Sequence, residues 1–134
     1  YLTIANGGYD RPLCWRHCAS RDQAVKRVLG ADTVHALMQM LVKASHGHGT
    51  GYRAQVKGVR VAGKTGTLHK VKQGVHSNDY LAGYAGFFPA DRPNYVVVVY
   101  VDEPDAKQHF GGQVAAPVFS EIAFSAHYMC KQAS

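Results

Sequence analysis

The sequence predicts an α+β fold, an antiparallel sheet of at least three strands packed with helices. Three observations carry that prediction. Two segments, Thr33 to Ala44 and Gln113 to Met129, keep apolar residues at helical spacing. Between them lie three strand candidates, Val59 to Thr67, Tyr80 to Phe88 and Tyr95 to Val101, and the short turn Asp91-Arg92-Pro93-Asn94 joins the last two as a hairpin. At 134 residues and 14.6 kDa, one domain with one core is the expectation.

In chain order, Tyr1 to Ala5 followed by Asn6-Gly7-Gly8 reads as the last turn of a helix with a glycine stop. A chain that opens in the final turn of a helix is expected to continue a larger domain upstream. Arg11-Pro12-Leu13 and Val25 to Leu29 read as short extended or irregular connections. Asp32 or Thr33 supplies an N-cap, and Val34, Leu37, Met38, Leu41 and Val42 form the apolar stripe behind it, with Met38 and Met40 expected in the core. The glycine-rich run His46-Gly47-His48-Gly49-Thr50-Gly51 follows a helix and does not introduce one, so it reads as a plain loop and not as a phosphate cradle.

Leu68 to Asp79 is polar and reads as the longer connection between the first two strands. Gly83 and Gly86 leave the middle strand open to close approach, and the valine-rich Tyr95 to Val101 strand is expected to be central and buried on both faces. After the polar loop Asp102 to Gly112, the last helix is expected near Gln113 with Pro117 in its first turn. Its core face is expected to carry Ala115, Val118, Phe119, Ile122, Ala123, Ala126 and Met129.

Composition narrows the function classes. Hydrophobic residues make up 46% and charged residues 18%, which is globular and not disordered. The formal charge of +6 is scattered, with no Lys/Arg block interleaved with aromatics, so no nucleic-acid face is expected. The apolar run Tyr95 to Val101 is too short to span a bilayer. Cys14, Cys18 and Cys130 form no even disulfide set and no C-x-x-C pair; free buried thiols are the expectation, a Cys14–Cys18 bridge the alternative in an oxidising compartment. Cys14, His17, Cys18, His46 and His48 are acceptable zinc ligands in type, but their spacing matches no finger, so neither metal nor cofactor is expected.

The chemistry concentrates at Lys64-Thr65-Gly66-Thr67, at the end of the first strand. An ammonium, two hydroxyls and a glycine that admits another backbone are what a carboxylate-bearing ligand needs, and a sheet-edge position would add backbone pairing with an extended peptide. Strict strand alternation opposes this, since it puts Lys64 on one face with Ala62 and Thr65 with Thr67 on the other. Convergence on one ligand therefore needs twist or an edge position. His69, His76 and His109, the acidic group Asp102, Glu103 and Asp105, and Tyr84 read more plainly as solvated loop residues and core packing.

Quoted in order, several segments resemble one family. They are Tyr1 to Gly8, Arg11-Pro12-Leu13, the Thr33 to Ala44 helix, Gly49-Thr50-Gly51, Val61-Ala62-Gly63-Lys64-Thr65-Gly66-Thr67, Gly83 to Pro89, the valine strand, Phe110-Gly111-Gly112 and Ala115 to Phe119. The chain resembles the C-terminal portion of the transpeptidase domain of class B penicillin-binding proteins, the division-type peptidoglycan D,D-transpeptidases. Of that family's motifs S-x-x-K, S-x-N and K-T-G, only the third is present. None of Ser20, Ser45, Ser77, Ser120, Ser125 and Ser134 has a lysine three residues on or an asparagine two on. Ser77-Asn78-Asp79 is S-N-D, and it follows K-T-G where the family's second motif precedes it.

The resemblance implies that Lys64 keeps the site electropositive, that Thr65 and Thr67 around Gly66 hold the terminal carboxylate of a stem peptide or a β-lactam, and that the Thr67 amide contributes to an oxyanion hole. It implies a nucleophilic serine in an upstream part of the same domain, peptidoglycan stem peptides and β-lactams as ligands, division proteins as partners, and a periplasmic domain anchored in the bacterial inner membrane. D,D-Carboxypeptidases, serine β-lactamases and β-lactam sensors of the same superfamily also use K-T-G, and a non-catalytic module that binds peptide carboxylates is a reading of a different class.

Overall fold

A computed structural model describes residues 1–11, 13, 25–72 and 74–132. The expectations on Pro12, Cys14, His17 and Cys18 lie outside these residues, as do the side chains of His76 and Cys130. Helix α1, Leu2–Ala5, ends in the predicted glycine stop: Gly7 N donates to Ile4 O at 3.0 Å and Gly8 N to Thr3 O at 2.8 Å. Both glycines have positive φ, 71° and 94°, and a Cβ on Gly8 would lie 2.3 Å from Leu29 O. The following Tyr9–Asp10 (β1) pairs antiparallel with Lys26–Arg27 (β2). Of the extended and irregular alternatives for Val25 to Leu29, the extended one holds at Lys26–Arg27; two residues are too few to show a period in sequence.

Helix α2 spans Ala31–Ala44 and starts ahead of the expected cap. Gly30 occupies the N-cap without a side-chain bond, and Asp32 falls in the first turn, where a carboxylate favours the helix dipole. Met38, Leu41 and Val42 pack on the sheet as predicted, but Met40 is 64% exposed because it lies off the stripe.

Strands β3 (Ala62–Lys72), β4 (Val75–Phe88) and β5 (Tyr95–Asp102) form one antiparallel sheet in the order β3-β4-β5. β3 and β4 run on through most of the polar Leu68 to Asp79 segment that reads as a loop, turning near Gly74 and changing register between His69 and Val71. Ladder pairing satisfies the backbone whatever the side chains, so a polar ribbon can extend beyond the core. β5 is terminal among the described strands, with Val98 and Tyr100 exposed, which corrects its expected central position.

Helix α3 spans Gly111–Gln132, beginning at the two glycines and not at Gln113, so Pro117 lies beyond the first turn. Ala115, Ala116, Phe119 and Ala123 are buried on the sheet, whereas Val118, Ile122 and Met129 are exposed. The face centred on small residues packs because it lets the helix come close.

The sheet therefore has two cores. α3 covers the Tyr84, Phe88 and Val99 face, and Phe119 lies 4.7 Å from the Tyr84 ring and edge-on to Phe88 at 5.8 Å. On the other face Ala62, Phe87 and Ala90 meet Ile4, Ala5 and the α2 stripe. β3 is terminal among the described strands on the side opposite β5, and the segment after α2 runs alongside it.

Candidate active site

Lys64, Thr65, Gly66 and Thr67 all lie in β3 and pair with Ala85, Tyr84, Gly83 and Ala82 of β4. Alternation holds for the backbone: Thr65 shares its pleat side with Tyr84, and Lys64 with Ala85. The side chain of Lys64 nevertheless wraps round the strand. Its Nζ donates to Thr65 Oγ1 at 3.2 Å and to Thr65 O at 3.3 Å. A four-carbon stem at a terminal strand can reach past its own backbone, and the alternation conflict dissolves there.

A third residue completes the cluster. Thr50, from the loop after α2, accepts from Lys64 Nζ at 3.1 Å and from Thr65 Oγ1 at 2.9 Å. The loop that carries Thr50 is seated by glycines. A Cβ on Gly49 would lie 2.3 Å from Ala44 O, one on Gly51 2.7 Å from the Tyr84 ring, and one on Gly112 2.2 Å from Thr50 O. By local pattern Thr50 belongs to a plain glycine-rich loop, although Gly49-Thr50-Gly51 is among the segments that carry the family resemblance. Its partner lies on another element, so no local pattern marks it; the only signal was a hydroxyl flanked by glycines beside the K-T-G strand.

Thr67 is tied down separately. Its Oγ1 accepts from Gly111 N at 3.1 Å, at the start of α3. Gly111 sits where a Cβ would lie 2.2 Å from Gly83 O and 2.6 Å from Gly66 O, so the helix end rests directly on β3 and β4. Gly66 differs from these glycines: a Cβ there would meet nothing within 4 Å, and that open space is available to a ligand.

Beneath the cluster the structure is dry. Ser45 Oγ, fully buried, bonds Tyr84 Oη at 2.7 Å and donates towards Gly63 O at 3.1 Å and Leu41 O at 3.0 Å. Burial pushes the Tyr84 hydroxyl up to about 12, with the bond to Ser45 pulling the other way. On the Lys64 face, an open groove of about 200 Å³ is walled by Tyr1, Lys64, Gly66, Gly83 and Tyr100. Burial, and then the neighbouring Tyr100, raise the Tyr1 hydroxyl from its ordinary value.

A wider groove of about 410 Å³ lies between Gln55–Lys57 and α3, but Ser120 Oγ in its wall is occupied by Gln55 O at 2.7 Å. Its lining includes Lys57, Ser120 and Ser125, but the hydrogen-bonded ammonium and hydroxyls are those at β3. Of the other polar residues, His69 and His109 flank Tyr80 in a ring stack, at 4.4 and 3.9 Å. Lys70 pairs with Asp102 and Glu103 at the far end of the sheet, and these bonds raise its pKa. Asp105 caps the backbone of Lys107. Among the described residues, no three metal-type side chains gather at one point. No described helix is long and apolar enough to cross a membrane.

Fold and site together define an α+β chain with a K-T-G strand that is terminal among the described strands of an antiparallel sheet. The chain belongs to the family described as the penicillin binding protein transpeptidase domain, which matches residues 1–123. Peptidoglycan D,D-transpeptidase FtsI of Escherichia coli K12 is 38% identical over 125 residues, covering 91% of this chain and 21% of that protein. Stage V sporulation protein D of Bacillus subtilis is 43% identical over 100 residues, 74% of this chain and 15% of that protein. The transpeptidase domain of the FtsI4 D,D-transpeptidase from Legionella pneumophila superposes with a TM-score of 0.74 at 34% identity, covering 94% of this chain and 43% of that one. That of penicillin-binding protein 3 from Burkholderia pseudomallei gives 0.77 at 32%, covering 96% and 39%. The chain thus spans about a fifth of the length of FtsI.

Proposed function

We propose that residues 1–134 form the C-terminal portion of a peptidoglycan D,D-transpeptidase domain and supply the carboxylate-binding and oxyanion wall of its cleft, not its nucleophile. The observation that carries this reading is the exposed cluster of Lys64 Nζ, Thr65 Oγ1 and Thr50 Oγ1 on the terminal strand β3, beside the open backbone at Gly66. A fixed ammonium with hydroxyl donors offers charge-assisted bonds to the terminal carboxylate of a stem peptide or to the carboxylate of a β-lactam. Thr67 completes the wall, its amide aimed at the oxyanion.

In the reaction, a serine outside residues 1–134 attacks the penultimate D-Ala carbonyl carbon. The peptide C–N bond breaks, the terminal D-Ala leaves as an amine carrying the serine's proton, and an acyl-serine ester remains. The amine of a neighbouring stem peptide then attacks the ester, which forms the cross-link and restores the serine hydroxyl. A β-lactam acylates the same serine. The whole protein is assigned to the periplasm, anchored in the inner membrane among division proteins.

Labelled penicillin tests the division of labour. The 1–134 chain alone is expected to stay unlabelled, and the chain joined to its S-x-x-K segment to become covalently labelled. An adduct on the isolated chain sinks the reading. Transfer to an added acceptor amine, in preference to water, separates transpeptidase from carboxypeptidase and β-lactamase.

A further inference from the structure

We infer that Thr50 is a positioning residue of the carboxylate site, holding the Lys64 ammonium and the Thr65 hydroxyl in one donor set; this rests on the proposed carboxylate wall. The hydrogen count leads to it. Lys64 Nζ has three protons and, among the described residues, three acceptors in reach, Thr50 Oγ1 at 3.1 Å, Thr65 Oγ1 at 3.2 Å and Thr65 O at 3.3 Å. An ammonium accepts nothing, so the two hydroxyls, 2.9 Å apart, share one bond between them, and one hydroxyl proton of the pair is left over. When a carboxylate accepts a hydrogen bond from Thr65, Thr50 turns to donate to Thr65; without a ligand, Thr65 donates to Thr50. Thr50 is thus the relay that lets Thr65 face the ligand without losing its bond.

Thr50 also anchors Lys64 from outside the strand. Of the acceptors among the described residues within reach of the ammonium, Thr50 alone belongs to another element, and the close seating of Gly49, Gly51 and Gly112 fixes where that element lies. Without it the long stem has only its own neighbour to hold it, and rotamer freedom returns at the position where the ligand needs a fixed charge.

The test uses the protein with its nucleophile-bearing part and compares acylation by a β-lactam carrying its free carboxylate with acylation by the methyl ester of the same compound. The unmodified protein is expected to prefer the carboxylate. Thr50→Val, equal in shape, is expected to cut that preference roughly tenfold, the loss of one charge-assisted hydrogen bond. Acylation by the ester is expected to fall less than acylation by the free carboxylate, and the thermal midpoint to hold. Thr50→Ser is expected to restore the preference, and His48→Ala, on the same loop, to leave it intact. Lys64→Met separates the two levels. If it abolishes the preference while Thr50→Val keeps it, the role of Thr50 is overturned and the wall stands. If the unmodified protein shows no preference, or Lys64→Met retains one, the carboxylate wall is overturned and Thr50's role with it. A Thr50→Val protein that loses both acylations in parallel assigns the residue to folding alone and overturns the inference.

Discussion

Ser45 and Thr50 leave the same end of α2 and reach the same strand, yet they do opposite work. Ser45 is fully buried and joins Tyr84 and Gly63, binding β3 to helix and sheet. Thr50 is exposed and joins Lys64 and Thr65. In the dry site every partner belongs to the protein, and a missing bond is charged to stability. In the wet site water replaces any lost bond, so the cluster adds little to folding and stays able to exchange partners with a ligand. Neighbouring positions on one strand, Gly63 and Lys64, thus divide between holding the strand in place and presenting the proposed wall.

The largest expected effect breaks the dry side from beneath. Phe119, fully buried against Tyr84 and Phe88, leaves a cavity on substitution; Phe119→Ala is expected to cost roughly 3–5 kcal/mol by chemical unfolding. A loss under about 1 kcal/mol, on the low side of ordinary point mutants, would remove the Phe119 ring contacts as the support of β4 and, through it, of β3.

Next comes a pair on one strand. Gly63→Ala sets a Cβ 2.4 Å from Tyr84 Oη and 2.7 Å from Ala85 O, and is expected to cost roughly 1–3 kcal/mol. Gly66→Ala meets nothing within 4 Å, so its unfolding midpoint is expected to hold while carboxylate ligands bind more weakly. Equal stability losses at both positions would erase the contrast between dry and wet.

A smaller effect sharpens it. Tyr84→Phe removes a buried hydroxyl that bonds Ser45, for an expected roughly 1 kcal/mol. The alkaline limb reports the same group independently. The folded pKa, about 12, lies above the ordinary 10.0, so the stabilisation is fully present below pH 10.0 and is lost as pH rises towards 12. Stability measured across that window is expected to fall less steeply in Tyr84→Phe; an unchanged slope would mean that Tyr84 does not titrate as a buried phenol.

The K-T-G strand was readable in sequence because its residues are adjacent, and the α2 and α3 spacings were readable because a helix repeats locally. Other features were illegible for the same reason in reverse. The β1–β2 pair joins segments far apart in the chain, the continued β3–β4 ribbon hides behind polar side chains, and α3's true face depends on how closely its alanines approach the sheet. Thr50 stands in the Gly49-Thr50-Gly51 segment that shares in the family resemblance, but its partners, Lys64 and Thr65, show only once its loop is placed.

By itself, the sequence determined an α+β chain with helices on an antiparallel sheet, a K-T-G strand, and no serine in an S-x-x-K or S-x-N setting. Only the tertiary structure decided that Lys64 and Thr65, which alternation sets on opposite faces, converge through Thr50. Side-chain direction along a strand follows from period, but a long side chain at the strand's outer side answers to whatever neighbour packs there, and that neighbour comes from another part of the chain.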